Sequence, residues 1–423
     1  MIMFGNELWY SSLPVGWSVK KFKYVASLYT GNSIRDSEKD NYTDKRDARP
    51  YIATKHIEAD NNKIDYENGL YVKYNDTSFR IAKRGSTLMC IEGGSAGKKK
   101  GILTQDVSFV NKLCCFEPNF RIDSKYLFYY LMSPNYEEDF KTRITGLIGG
   151  VSVSELLNMS IITPPLFEQQ AIADYLDETC SKIDEIIAEA KASIDEYKEL
   201  KQSVIFEAVT KGLNKNVDMK QCSVNWLDEI PSTWESIRLK YLLTEINNRS
   251  ETGTEQPLSV SQVMGVVPSY MIAVANPTAS YVGQKIVEPN DIVFNKLKAH
   301  LGVFFMSKYH GLVSPDYAVY RTNDKVIPKY VEYLFHTSAC ISEFKKYISG
   351  VAEGLMRLYT SDLFNIRICL PKVDEQIKIV EYVENKVELF NSLIAEKESL
   401  INDLEAYRKS LIYEVVTGKR RVV

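Results

Sequence analysis

The stretch Glu92-Gly93-Gly94-Ser95-Ala96-Gly97-Lys98-Lys99-Lys100 has the residue types of a phosphate-binding loop. Its spacing is wrong for nucleotide hydrolysis. A G-x4-G-K-[ST] loop needs Gly at 92 and Ser or Thr at 99, and this chain places an acid, Glu92, where a phosphate would have to sit. The loop can still offer open backbone amides beside Lys98, Lys99 and Lys100, which suits contact with a nucleic-acid phosphate or base edge. The plain alternative is a solvated lysine turn. After a strand in the second half, Asn295-Lys296-Leu297-Lys298-Ala299-His300 is again basic, and Arg80, Arg84, Arg249 and Arg357 are further cations such a surface could use. The nearby aromatics Phe304, Phe305, Tyr309, Tyr317 and Tyr320 read as core.

No set of residues with nucleophile–base spacing accompanies these loops. The chain has no G-x-S-x-G elbow and no H-E-x-x-H. Asn276-Pro277-Thr278-Ala279 lacks the second proline and the aromatic residue of an amino-methyltransferase element, and Pro315-Asp316 is followed by no Glu-x-Lys triplet on a nearby strand, as a nuclease cluster would need. Seven cysteines, an odd number, include no Cys-x-x-Cys, and there are only four histidines. A zinc site and a disulfide framework are both unsupported, and the thiols read as reduced, mostly small core residues of a cytoplasmic protein. Met1–Glu7 shows no signal-peptide pattern, and no window has the ~18 apolar residues of a membrane span. With 45% hydrophobic and 25% charged residues in 423, the composition is that of a globular chain of two or three domains, not of a disordered or collagen-like one.

The net charge of −3 conceals an alternation. Residues 1–165 carry a net +3, 166–212 carry −6, 213–372 carry +2 and 373–423 carry −2. Self-comparison explains it as an internal duplication. Trp9, Pro14 and Trp17 match Trp226, Pro231 and Trp234 in a W-x4-P-x2-W pattern. Tyr126-Leu127-Phe128-Tyr129 resembles Tyr330-Val331-Glu332-Tyr333, Pro164–Gln169 matches Pro371–Gln376, and Glu207-Ala208-Val209-Thr210 matches Glu414-Val415-Val416-Thr417. The predicted organisation is a globular unit at 1–165, a helical region at 166–212, a linker at 213–225, a second globular unit at 226–372 and a second helical region at 373–423. Each globular unit reads as mixed α+β, with short runs such as Ser86–Ile91 and Asp291–Phe294 as strands and aromatic-striped helices near 123–133 and 328–338.

The acidic segments carry heptads. Leu176, Ile183, Ala190, Tyr197 and Val204 form one row, and Cys180, Ile187, Ile194, Lys201 and Ala208 the other. In the second copy the rows are Val383, Phe390, Lys397, Leu404 and Leu411, then Val387, Ile394, Ile401, Arg408 and Val415. From 172 to 208 such a helix rises ~55 Å. An apolar seam needs a partner, and the copy supplies one. The expected fold is two homologous α+β domains separated by two long helices that pair as an antiparallel coiled coil with approximate two-fold symmetry. The alternative is that each helix packs only on its own domain.

Together these motifs resemble the specificity subunit of type I restriction–modification systems. The likeness rests on Pro164–Leu176 and Leu370–Val383 at the helix starts, and on Leu13–Trp17 and Ile230–Trp234 at the start of each unit. Cys90–Lys98 with Phe109–Cys114, and Asn295–Ala299 with Val313–Tyr317, complete it. The usual Gly-Asp before the central strand is replaced by Gly85-Ser86 and Asn290-Asp291. The resemblance implies two target-recognition domains, each reading half of a split DNA site, with the helices setting the unread spacer. The divergent middles of the units imply different, hence asymmetric, half-sites. It also implies double-stranded DNA, two methyltransferase subunits and two restriction subunits as partners, with S-adenosylmethionine, ATP and Mg on those partners and no cofactor or active site on this chain. A duplicated scaffold that binds protein and not DNA is the competing reading.

Overall fold

The computed structural model describes residues 13–146, 149–224, 226–272, 280–349 and 357–423. Trp9 and the Asn276-Pro277-Thr278-Ala279 stretch lie outside the described residues. The chain divides into one unit of Met1–Lys191 with Glu398–Val423 and another of Ala192–Lys397. Each unit contains one globular domain and a segment of each long helix.

In the first unit the strands are β1 (Ser18–Lys21), β2 (Ala26–Thr30), β3 (Ala48–Ile52), β4 (Leu70–Lys73), β5 (Ile81–Ala82), β6 (Thr87–Cys90), β7 (Lys100–Ile102), β8 (Val107–Phe109), β9 (Leu113–Pro118) and β10 (Ser160–Thr163). The helices are α1 (Ser124–Met132), α2 (Pro134–Thr142), α3 (Val153–Asn158) and the beginning of α4 (Leu166–Lys211). β2-β9-β6-β7 form an antiparallel sheet, β4-β3-β8-β5 a second sheet with β3 and β8 parallel, and β1 pairs with β10. β6 is buried along its length because both faces are covered. Met89 faces the core shared with α1, whereas Leu88 and Cys90 face the second sheet. The same alternation sends the adjacent Cys114 and Cys115 to opposite sides.

The second unit holds β11 (Met219–Gln221), β12 (Glu229–Pro231), β13 (Glu235–Arg238), β14 (Leu243–Ile246), β15 (Leu258–Ser261), β16 (Gly265–Pro268), β17 (Lys285–Val287), β18 (Ile292–Phe294), β19 (Phe304–Met306), β20 (Gly311–Val313), β21 (Ala318–Thr322) and β22 (Arg367–Leu370). Its helices are α5 (Pro328–Phe335), α6 (Ser338–Lys346), α7 (Thr360–Asn365) and the beginning of α8 (Val373–Val416). The main sheet, β14-β21-β18-β19, repeats the order of the first unit, as does the β13–β22 pair. β15–β16 and β17–β20 pair separately and are joined by one parallel bridge, Pro257–Leu312, where the first unit has the parallel β3–β8 pairing. The turn into each central strand takes a left-handed residue, Gly85 at φ 85° and Asn290 at φ 74°. Asn tolerates that region better than other side chains, so the replacement of glycine in the second copy preserves the turn.

The helical repeats are built on shared polar contacts. Proline precedes each long helix and Glu168 or Glu375 lies in its first turn. Buried Gln169 donates to Pro164 O at 2.9 Å and accepts from Asp123 N at 2.8 Å; buried Gln376 does the same with Pro371 O and Ile327 N, both at 2.9 Å. Trp17 and Trp234 donate their indole N–H to Glu168 and Glu375. Tyr126 donates to Val416 O, and Tyr330 to Val209 O, so each domain grips a helix end.

Within the first unit, Leu176, Cys180, Ile183 and Ile187 share a core with Ile401, Leu404, Leu411, Ile412 and Val415. Within the second, Ile205, Ala208 and Val209 share one with Ile379, Val383 and Val387, and Tyr197 meets Phe390 at 6.4 Å between ring centres. In both units the start of one helix meets the end of the other, which is antiparallel pairing. Both cores also include the domain's own residues, so the helices pack on each other and on the domains. Ile194 is buried, whereas Phe390, Ile394 and Ile401 are half-buried. Val204 is also half-buried and its neighbour Ile205 is buried. At that end the helix faces a domain as well as a helix, which widens its apolar stripe. The basic seam positions find equivalent partners: Arg408 bonds Asp184 within the first unit, and Lys201 bonds Asn391 at 3.0 Å within the second.

Candidate nucleic-acid interface

The loop from Ile91 to Lys99 leaves the C-terminal end of β6. Gly97 N donates back to Cys90 O at 2.8 Å, and Ala96 N to Gly93 O at 2.9 Å, closing a compact turn. Gly97 sits at φ 72°, and a Cβ there would come within 2.7 Å of the Phe140 ring, so the turn needs glycine on both counts. A Cβ on Gly93 or Gly94 would meet nothing within 4 Å, which leaves that part of the backbone open to an approaching ligand. Gly93 N donates to Gly149 O at 2.7 Å, and Val151 N to Ile91 O at 3.0 Å, tying this loop to the one before α3. Ile91, Glu92, Thr145, Gly146 and Gly149–Val151 line a cleft of about 430 Å³ there.

The three lysines part company. Lys98 is exposed. Lys99 is half-buried and donates to Thr54 O at 3.1 Å. Lys100 opens β7 and is only 2% exposed; its ammonium donates to Leu131 O and to Glu137 Oε1, both at 2.7 Å. Burial pulls its pKa down, against the opposing effect of Glu137. The expectation of three adjacent cations facing DNA is therefore corrected for Lys100. Strand alternation turns it inward, where it anchors the core side of the turn.

Of the predicted arginines, Arg80 joins the loop end of the sheet and Arg84 does not. Met89 pairs with Cys114, and Cys114 with Thr30, so β2 finishes at the end where β6 gives way to the loop. Exposed Arg80 donates to Thr30 O at 3.1 Å. Exposed Arg84 precedes β6, with its backbone N on Asp106 Oδ1, and so lies at the other end of that strand.

The second unit gathers its cations at the corresponding end. Ile246 and Val293 both pair with Val319, which puts the continuation of β14 beside the loop after β18. That continuation carries exposed Arg249, whose guanidinium donates to Gly283 O at 2.9 Å and whose backbone bridges Lys285. Lys296 is half-buried and Lys298 exposed, on a 3₁₀ turn capped by the Asn295 side chain. Leu358 N donates to Lys296 O at 3.1 Å, bringing half-buried Arg357 alongside. Lys285, which sequence reasoning passed over, is buried with its ammonium on Tyr317 O at 2.8 Å. Burial lowers its pKa, and repulsion from Lys296 and Arg249 lowers it further, with Glu245 opposing. A lysine opening a three-residue strand carries no sequence sign of burial, and buried Arg49, bonded to Ser108 Oγ at 2.8 Å, was invisible for the same reason. Among the described residues no group of three His, Cys, Asp or Glu side chains could hold a metal, and no helix is long and apolar enough to cross a membrane.

Two domains with the same sheet order, each clasping an antiparallel pair of helix segments and holding basic side chains at one end of its main sheet, define a duplicated binding protein. The type I restriction modification DNA specificity domain matches the chain twice, over residues 14–196 and 231–403. The type I restriction enzyme EcoKI specificity subunit of Escherichia coli (strain K12) is 24% identical over 400 residues, covering 88% of this chain and 82% of that one. The MjaVIII specificity subunit of Methanocaldococcus jannaschii is 24% identical over 435 residues, covering 97% and 94%. In fold, the chain is similar to one in a structure concerned with complex assembly and conformational transition of the type I R-M system, with a TM-score of 0.74, 15% identity and coverage of 97% of this chain and 100% of that one. It is also similar to the HsdS subunit from Thermoanaerobacter tengcongensis, with a TM-score of 0.56, 16% identity and coverage of 96% and 98%. This chain belongs to the type I restriction–modification specificity subunit family.

Proposed function

We propose that the chain is the DNA sequence-recognition subunit of a type I restriction–modification complex, in which each domain reads one half of a bipartite, asymmetric site. The observation that carries this reading is the doubled family match laid over two domains that each gather cations at the loop end of the main sheet. Residues 1–165 and 226–372 are the readers, 166–212 and 373–423 the helical regions, and 213–225 the linker. The chain is non-catalytic and directs partners: methyltransferase subunits carrying S-adenosylmethionine, two per complex, and two restriction subunits using ATP and Mg. Double-stranded DNA is bound largely through phosphates, and base edges supply specificity. The different loops that flank the equivalent sheets support unlike half-sites.

Methylation mapping of DNA from cells with and without this gene tests the reading, since loss of the gene must erase one bipartite adenine-methylation pattern. Replacing Arg249, Lys296 and Arg357 with Ala is expected to degrade recognition of one half-site and leave the other intact. Removing a heptad from each long helix shortens each by ~10 Å, about three base pairs of duplex, and is expected to change the spacer while preserving both half-sites. Altered half-sites with an unchanged spacer would contradict the assignment of the helices as the spacer gauge.

A further inference from the structure

The hairpin that leads into the second domain holds Cys222, the one cysteine of the seven that is not buried. It directly follows β11, and its Sγ lies 3.0 Å from the Sγ of Cys369. Cys369 sits in β22, opposite Ser236 of β13, and is 1% exposed. The two side chains converge from segments 147 residues apart in sequence. Their sulfurs need to approach by only about 1 Å to reach the ~2.05 Å bonding distance of a disulfide. The cysteine pattern showed no pairing, because this pair is made by the residue after β11 meeting β22 in space and not by local spacing.

We propose that Cys222 and Cys369 form a redox-active thiol pair that small-molecule disulfides of the glutathione class convert into an intramolecular disulfide. Cys222, the accessible partner, attacks first. Its thiolate bonds to one sulfur of the oxidant, the oxidant's S–S bond breaks, and the first small thiol leaves with the electron pair. The Cys369 sulfur then gives up its proton to solvent and attacks Cys222 Sγ, expelling the second small thiol. The protein loses two protons and two electrons, and one oxidant molecule becomes two thiols. Burial and the adjacent Cys222 sulfur push the Cys369 thiol well above its ordinary pKa. Lys220 acts in the opposite sense, its ammonium held nearby on Ser232 O and Trp234 O at 2.7 and 2.6 Å. The second step accordingly quickens as pH rises.

The product would staple β11, an exposed strand that pairs only with β12 in this sheet, to the strand that feeds α8. This inference is independent of the nucleic-acid reading. The test treats the native full-length chain with oxidised glutathione, blocks remaining thiols and digests it with trypsin. The expected result is an intact chain lighter by about 2 Da before blocking and, after digestion, one disulfide-linked pair, Gln221–Arg238 with Ile368–Lys372, formed at a rate independent of protein concentration and reversed by dithiothreitol. The C222S variant, conservative at a half-exposed site, must lose the linked pair, and C369S must accumulate the mixed glutathione adduct on Cys222. Wild-type chain that stays fully reduced, or that keeps glutathione on Cys222 without forming the link, overturns the proposal whatever the fate of the variants.

Discussion

Lys98 and Lys100 are two residues apart, yet they should fail in different ways when replaced. The ammonium of Lys98 is in solvent, so Lys98→Ala removes a candidate phosphate contact and leaves the fold alone. Each phosphate contact contributes about 0.9 to the slope of log affinity against log salt. Between 50 and 200 mM salt, losing one such contact weakens the salt response about 3.5-fold, and losing two, in K98A/K99A, about 12-fold. Lys100→Ala instead strips the partner from the Glu137 carboxylate and from the Leu131 carbonyl. Removing one member of a buried ion pair costs ~3–5 kcal/mol, and because Glu137 keeps 35% of its side chain in water the cost here should be nearer ~2 kcal/mol. For a unit of this size that lowers the melting temperature by about 4–8 °C. Calorimetry on the three variants, with anisotropy titrations of a duplex bearing the mapped site at several salt concentrations, separates the two classes. The reasoning fails if K98A/K99A leaves affinity and salt slope unchanged, or if K100A, measured where it is folded, lowers the slope without lowering the melting temperature.

Gln169→Leu and Gln376→Leu should each destabilise their own unit by about 2–4 kcal/mol, since each amide makes several bonds to backbone groups that would be left unpaired; denaturant unfolding of each variant checks this. At the seam, Arg408 is 14% exposed and Asp184 50% exposed, so a double-mutant cycle to Ala should show a coupling of about 0.5–1 kcal/mol, falling with added salt; zero coupling in low salt would reduce the pair to packing alone. Half-buried His336 donates Nε2–H to Gly302 O and stacks on Phe304, and removal of its ring from water lowers its pKa. The unfolded chain therefore takes up this proton first as pH falls below ~6.5, so stability that is whole above that pH declines until the lower folded pKa is passed. His336→Gln should flatten part of that decline in pH-dependent melting curves, and an equally steep decline in the variant would assign it to other groups such as His56, whose pKa burial also lowers.

The duplication was legible in the sequence because repeated packing requirements leave repeated residues. Tryptophan beside a helix-start glutamate, glutamine behind prolines and tyrosine at a helix end recur, since each closes the same hydrogen bond in both copies. The heptads were legible for a similar reason: a seam is a local periodicity, and burial at Leu176, Ile183, Ile187, Val383 and Leu411 follows it. Tertiary structure decided what local pattern cannot carry. Three consecutive lysines look alike in sequence, but a strand begins at the third and turns it into the core against Glu137. Arg80 and Arg84 are four residues apart, and hydrogen bonding sends them to opposite ends of one sheet. Lys285 becomes part of a basic group, and Cys222 meets Cys369, only because strands far apart in the chain lie side by side. Periodicity reports which face of an element is buried; which distant side chain it is buried against depends on sheet order and strand register, and those are properties of the whole fold.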